Sequence, residues 1–170
     1  MAFENSKFIW LNNRGKDQYM EAYGTLNFSG KNVLFRISVD GDYTLFINGK
    51  YVSSCQYGDF EHYKIYDEID LSEHIVNGKN HFALLVHHFG KDSQRYKKYQ
   101  AGAIFEVAEN GKVILASDES ILSRKSKTYI SGICREITGQ LGFSYTYDAK
   151  NEDLWQVGRG TGFKMSVGVS

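Results

Sequence analysis

Proline is absent from these 170 residues while glycine numbers 17, so chain reversals fall to Gly working with Asn or Asp. Cysteine is nearly absent too. Cys55 and Cys134 are too few for a disulfide framework, and neither belongs to a CxxC metal spacing, so two free thiols are expected. No charge of one sign prevails: 20 basic residues meet 20 acidic ones, which removes the global field that would draw the chain to nucleic acid or an anionic membrane. Long apolar runs are missing. Residues 1–20 carry Glu4, Lys7, Arg14, Lys16 and Asp17, so neither a signal-peptide core nor a membrane span is read. With Met1 as the native start, the expected location is cytoplasmic.

What is present in quantity is aromatic, 12 Tyr and 11 Phe. Large flat side chains fill the space between packed sheets, and a chain of this length can bury about 70% of its extended surface without a staple. An all-β sandwich therefore fits better than a helical bundle.

The pattern is clearest over residues 33–52. Val33, Phe35, Ile37 and Val39 alternate with Leu34, Arg36 and Ser38; after Asp40-Gly41-Asp42, Tyr43, Leu45 and Ile47 alternate with Thr44, Phe46 and Asn48. Asn48-Gly49 tolerates positive φ at both positions, as a type I′ hairpin needs, so Lys50-Tyr51-Val52 should fold back on the strand before it. Further strands are expected at residues 8–10, 19–28, 62–66, 128–133 and 142–147, and a second hairpin is expected around Asn110-Gly111. The near-continuous apolar run at residues 81–88 is placed centrally. Asp70-Leu71-Ser72-Glu73 reads as the cap of one helical turn over residues 71–76. The whole suggests a two-sheet antiparallel jelly-roll sandwich. Residues 1–29 would supply an arm and first strands, residues 30–150 the sandwich, and residues 151–170 a linker, frayed end or the start of a next domain.

Chemistry is harder to find. His87 and His88 are adjacent and face opposite sides of a strand, so they cannot share a metal; one buried and one exposed imidazole are expected. Asp40-Gly41-Asp42 lacks the alternating oxygens of a calcium loop and reads as a turn. Asp118-Glu119 and Glu152-Asp153 suit solvated loops better than a pair of glycosidase acids. Ser144 has no GxSxG elbow, and residues 158–162 (GRGTG) have no strand-then-helix context. No catalytic residue, cofactor or metal is expected. Residues 91–99 interleave lysines and arginine with Tyr96 and Tyr99, which superficially suits single-stranded nucleic acid, though neutral net charge favours a solvated loop. Sugars need a flat aromatic face and polar side chains for their hydroxyls. On that ground Tyr57, Asp59 and His62 in one loop, and Tyr96, Tyr99 and Gln100 in another, are the candidate carbohydrate contacts.

An ordered set of motifs resembles a known family. Asp42-Tyr43-Thr44-Leu45-Phe46-Ile47-Asn48-Gly49-Lys50-Tyr51-Val52, Gly58-Asp59, Tyr66-Asp67-Glu68-Ile69-Asp70-Leu71 and Asn77-Gly78-Lys79-Asn80 are similar to the galactose-binding-type jelly rolls of bacterial glycoside hydrolases. With Val86-His87-His88-Phe89-Gly90, Gly142-Phe143, Tyr147-Asp148-Ala149-Lys150 and Trp155 added, the set resembles the N-terminal region of bacterial α-L-rhamnosidases of glycoside hydrolase family 78. Lys150 stands where an arginine is usual, and Tyr145 where an acid is expected. The resemblance implies an accessory module, with a rhamnose-containing glycan as ligand and the catalytic (α/α) barrel of the same polypeptide as partner. The family's catalytic acids lie in that barrel, so no catalytic role passes to a residue here. The alternative is a purely structural or interface domain with no ligand.

Overall fold

Period-two alternation commits each strand to one buried face, and two such faces meet in this chain. The structure, a computed structural model, describes residues 3–29, 32–55, 60, 62–94 and 96–169. In chain order the strands are β1 (Phe8–Trp10), β2 (Gln18–Phe28), β3 (Val33–Val39), β4 (Asp42–Ile47), β5 (Lys50–Cys55), β6 (Asp67–Asp70) and β7 (Gly78–His88). They continue as β8 (Ala103–Glu109), β9 (Lys112–Ala116), β10 (Leu122–Lys125), β11 (Glu136–Thr138), β12 (Gly142–Phe143), β13 (Lys164–Met165) and β14 (Val167–Val169). One sheet runs β14-β1-β8-β3-β6 with β9 also on β8, the other β13-β10-β2-β7-β4-β5, and β11-β12 stand apart as a small hairpin. The ladders are antiparallel, and the architecture is the expected two-sheet jelly-roll sandwich.

Between the sheets Phe35 of β3, Phe82 of β7 and Phe105 of β8 pack with ring centroids 5.5–6.1 Å apart. All three are fully buried, each contributing roughly 2 kcal/mol of transfer free energy. As expected, β7 is central, flanked by β2 over its full length and by β4. Asn48 and Gly49 take φ of 52° and 78°, and Asn110 and Gly111 take 51° and 79°, so both hairpins turn as their sequences demand. Asn48 does more than turn: its carboxamide donates to Asn80 Oδ1 at 2.8 Å and accepts the His81 N–H at 2.9 Å. Gly41 has φ of 114°, and a Cβ there would lie 2.1 Å from the His87 carbonyl oxygen. Gly41→Ala should cost about 1–3 kcal/mol, measured as a lower urea midpoint.

Four expectations need correction. Residues 62–66 are not a strand: β3 pairs instead with β6, and past Ile37 the contact passes to side chains, the Ser38 hydroxyl donating to the Ile65 carbonyl at 2.7 Å and Lys64 Nζ to Asp40 at 3.4 Å. Residues 71–76 form a turn rather than a helix, because the Val76 N–H goes forward to Asn80 Oδ1 at 2.9 Å and not back along a helical ladder. Of the expected strand at 142–147 only Gly142–Phe143 forms, as β12, and residues 128–133 form none: they meet residues 142–147 in one bridge, Tyr129 with Tyr147, while Ser126 and Asp17 side chains accept the Tyr129 and Gly132 N–H groups. Finally, residues 151–169 are neither linker nor frayed end. Trp155 is buried, β13 adds to β10, and β14 adds to β1, so one short tail closes an edge of each sheet.

Candidate functional site

Asp40, at the end of β3, is where the two sheets and a long loop come together. Its carboxylate is fully buried and accepts four donors: His88 Nδ1 and the Tyr96 hydroxyl at 2.6 Å each, the Tyr99 N–H at 3.1 Å, and Lys64 Nζ at 3.4 Å. Burial would raise the Asp40 pKa, but the His88 and Tyr96 hydrogen bonds and the Lys64 cation outweigh it and hold the carboxyl below its ordinary 3.8. The loop after β7 is thereby fixed to the sandwich. Lys64 also lies 5.2 Å from the centroid of the Tyr99 ring, a cation–π distance.

This hub places the cleft above it. Phe8, Phe60, His62, Tyr63, Lys64, Lys97, Lys98 and Tyr99 line a cavity of about 460 Å³, within the range of small-ligand sites. Phe60 and Tyr63 stack at 4.7 Å, and these two and Tyr99 are 54%, 59% and 66% exposed. Three such rings offer flat apolar faces beside cationic and imidazole donors. No Asp or Glu is among the described residues of the lining.

Of the residues singled out from sequence, His62 and Tyr99 meet in this cleft. Gln100 lines the adjoining one, about 230 Å³, whose common wall with the first is Lys98 and Tyr99. Tyr96 is buried, and its hydroxyl serves Asp40, so it supports the loop from beneath. Tyr57 and Asp59 lie outside the described residues. Phe60, Tyr63 and Lys64 are not among the candidates the sequence offers; their one signal is that Phe60 lies within, and Tyr63 and Lys64 directly after, the loop of Tyr57, Asp59 and His62.

His87 and His88 do face opposite ways, but neither imidazole is exposed as expected. His87 Nε2 lies 3.0 Å from buried Asp17, and its ring stacks on Tyr19 at 4.0 Å. A second groove of about 320 Å³ opens here on the outer face of β2, β7 and β4, with Asp42, Thr44, Tyr129 and Tyr145 in its wall. Elsewhere on the same face Arg124 donates to Glu21 at 2.6 Å and forks onto Asp153 at 2.7 and 2.8 Å. Asp153 is therefore not the solvated acid that its sequence context suggests. The Arg124 hydrogen bonds instead hold its carboxyl at about 2, below the ordinary 3.8. A depressed carboxylate pKa stabilises the fold above the unfolded value and loses that contribution as protons bind. Asp153→Asn should therefore be less stable than the parent at neutral pH, with the gap in urea midpoint closing as pH falls from 3.8 through about 2.

No family model matches the chain, and no curated protein matches it in sequence. Solved structures do match. The GH78 family rhamnosidase of Bacillus sp. GL1 aligns with 99% of this chain at a TM-score of 0.87 and 22% identity, over 19% of its own length. The α-L-rhamnosidase of Aspergillus terreus aligns with 99% at 0.76 and 16% identity, over 21% of its length. The fold is that of a β-sandwich module carried within α-L-rhamnosidases. The chain thus spans about a fifth of the length of the solved chains it matches. A looser likeness joins it to a lectin of Pleurotus ostreatus, with 94% of the chain aligned at 0.52 and 17% identity, over 46% of the lectin.

Proposed function

We propose that this chain is an accessory module of a larger rhamnosidase-like glycoside hydrolase, and that it holds carbohydrate against the catalytic helical barrel of the same polypeptide. The observation that carries the reading is the cleft around Tyr99: three exposed aromatic rings, His62 and lysine donors, set in place by the buried Asp40 hub. A sugar's CH face packs on such rings while its hydroxyls accept from the imidazole and ammonium groups. The fold likeness to parts of rhamnosidases and to a lectin supports the same view. Calorimetry with rhamnose and rhamnosyl oligosaccharides tests it. Binding should be measurable, and Tyr63→Ala and Tyr99→Ala should each weaken it about tenfold. Silence up to about 10 mM ligand would leave a structural role only.

That second reading, an interface domain without ligand, has its own support. Ile133, Ile137 and Leu141, on and beside the β11-β12 hairpin, are 60%, 56% and 57% exposed. In the larger polypeptide, Ile137→Asp with Leu141→Asp should lower the thermal midpoint if this hairpin packs on another domain, and leave it unchanged otherwise.

A further inference from the structure

The chain as a whole is neutral, yet among the described residues that line the clefts beside Tyr99 the charged side chains are basic. The larger cleft carries Lys64, Lys97 and Lys98, and the adjoining one carries Arg14 and Lys16 across the shared wall of Lys98 and Tyr99. No Asp or Glu is among the described residues that line either. Two of these lysines already have acid partners outside the lining, Lys64 with Asp40 at 3.4 Å and Lys97 with Asp92, so the excess of positive charge lies with Lys98, Arg14 and Lys16. Asp40 is buried beneath the loop, while Asp92 pairs with Lys97 at 3.3 Å and accepts the Lys98 N–H at 2.8 Å.

This imbalance has a chemical meaning. A neutral sugar presents hydroxyls that both donate and accept, and is best matched by carboxylates and carboxamides that can do the same. Lysine and arginine only donate. A wall of cations and phenol rings is matched by a ligand that is rich in acceptors, negatively charged, and still flat and apolar on one face. A uronic acid residue has all three properties. Resting on the reading of the cleft as a sugar site, we infer that the two clefts flanking Tyr99 take an acidic, uronate-bearing oligosaccharide. Its carboxylates meet Lys98 and Arg14, and a sugar ring lies on Tyr99. A single-stranded nucleic acid would also bring anions and flat rings, but it draws on a broad positive field that a neutral chain does not provide.

The experiment is calorimetric titration of the chain with a galacturonate oligosaccharide, with the same oligosaccharide after reduction of its carboxyls to alcohols, and with single-stranded RNA. The acidic sugar should bind about tenfold tighter than the reduced one, the worth of one charge-assisted hydrogen bond. That margin should shrink between about 50 mM and about 500 mM sodium chloride. Lys98→Gln and Arg14→Gln, both at exposed positions, should cut the margin between the acidic and the reduced sugar. Equal affinity for the two sugars overturns the charge selectivity while leaving the sugar reading in place. No binding of either overturns both, and RNA binding tighter than the uronate overturns the ligand class.

Discussion

Asp40→Ala is expected to destabilise the chain by about 3–5 kcal/mol, the cost of stripping one partner from a buried charged network. The substitution leaves His88, Tyr96, Lys64 and the Tyr99 N–H facing an empty, desolvated site. Domains of this size are stable by about 5–15 kcal/mol in all, so the loss is a large share. Asp40→Asn keeps one acceptor oxygen but gives up the charge and sets an NH2 donor against two of the four donors; it should fall between the parent and the alanine variant. Because the Asp40 pKa is depressed, this contribution is present above pH 3.8 and lost as pH falls below it, so the variants and parent should converge in acid. Urea denaturation gives the free energies. Hydrogen exchange at residues 96–102 shows whether the loop loosens first, and a loss under about 1 kcal/mol would deny Asp40 its role as hub.

The second large effect is expected at Arg124. Its guanidinium bridges buried Glu21 and half-buried Asp153, accepts a stacked position 4.4 Å from the Phe163 ring centroid, and donates to the Thr161 carbonyl. Arg124→Met keeps much of the volume but leaves Glu21 as an uncompensated buried carboxylate, at a cost of about 3–5 kcal/mol. Burial already pushes the Glu21 pKa above its ordinary 4.5, against the pull of Ser126 and Arg124. With the cation gone, Glu21 should protonate more readily still. Adding Glu21→Gln to Arg124→Met should restore a good part of the loss, a coupling read from a double-mutant cycle. Strict additivity of the two substitutions would mean that the pair does not act as a unit.

How much of this was legible in the sequence follows from the range of each interaction. The hairpins at Asn48-Gly49 and Asn110-Gly111 were legible because two adjacent residues carry the whole signal, a tolerance for positive φ. The long strand β7 was legible because its apolar run needs no partner to be recognised. Asp40 was read as part of a turn, which it is, but its importance comes from His88, Tyr96 and Lys64, which lie 24 to 56 residues away in sequence. Arg124 and Asp153 are joined across 29 residues, and nothing local marks either. The strands β13 and β14 have two and three residues, too short for alternation to show. The candidate site was half legible for the same reason. The tyrosines of residues 96–99 mark a loop that lines the cleft, but only the fold shows that Asp40 takes the Tyr96 hydroxyl and leaves the Tyr99 ring exposed.

The account depends on the cleft around Tyr99 being the face that meets carbohydrate. Nuclear magnetic resonance titration of the isotope-labelled chain with rhamnosyl and galacturonate oligosaccharides tests this most directly. Shifts should concentrate at His62, Tyr63, Lys98 and Tyr99, with no sugar released. Shifts gathered instead at Tyr129 and Tyr145 in the groove on the opposite sheet, or none at saturating ligand, would contradict it.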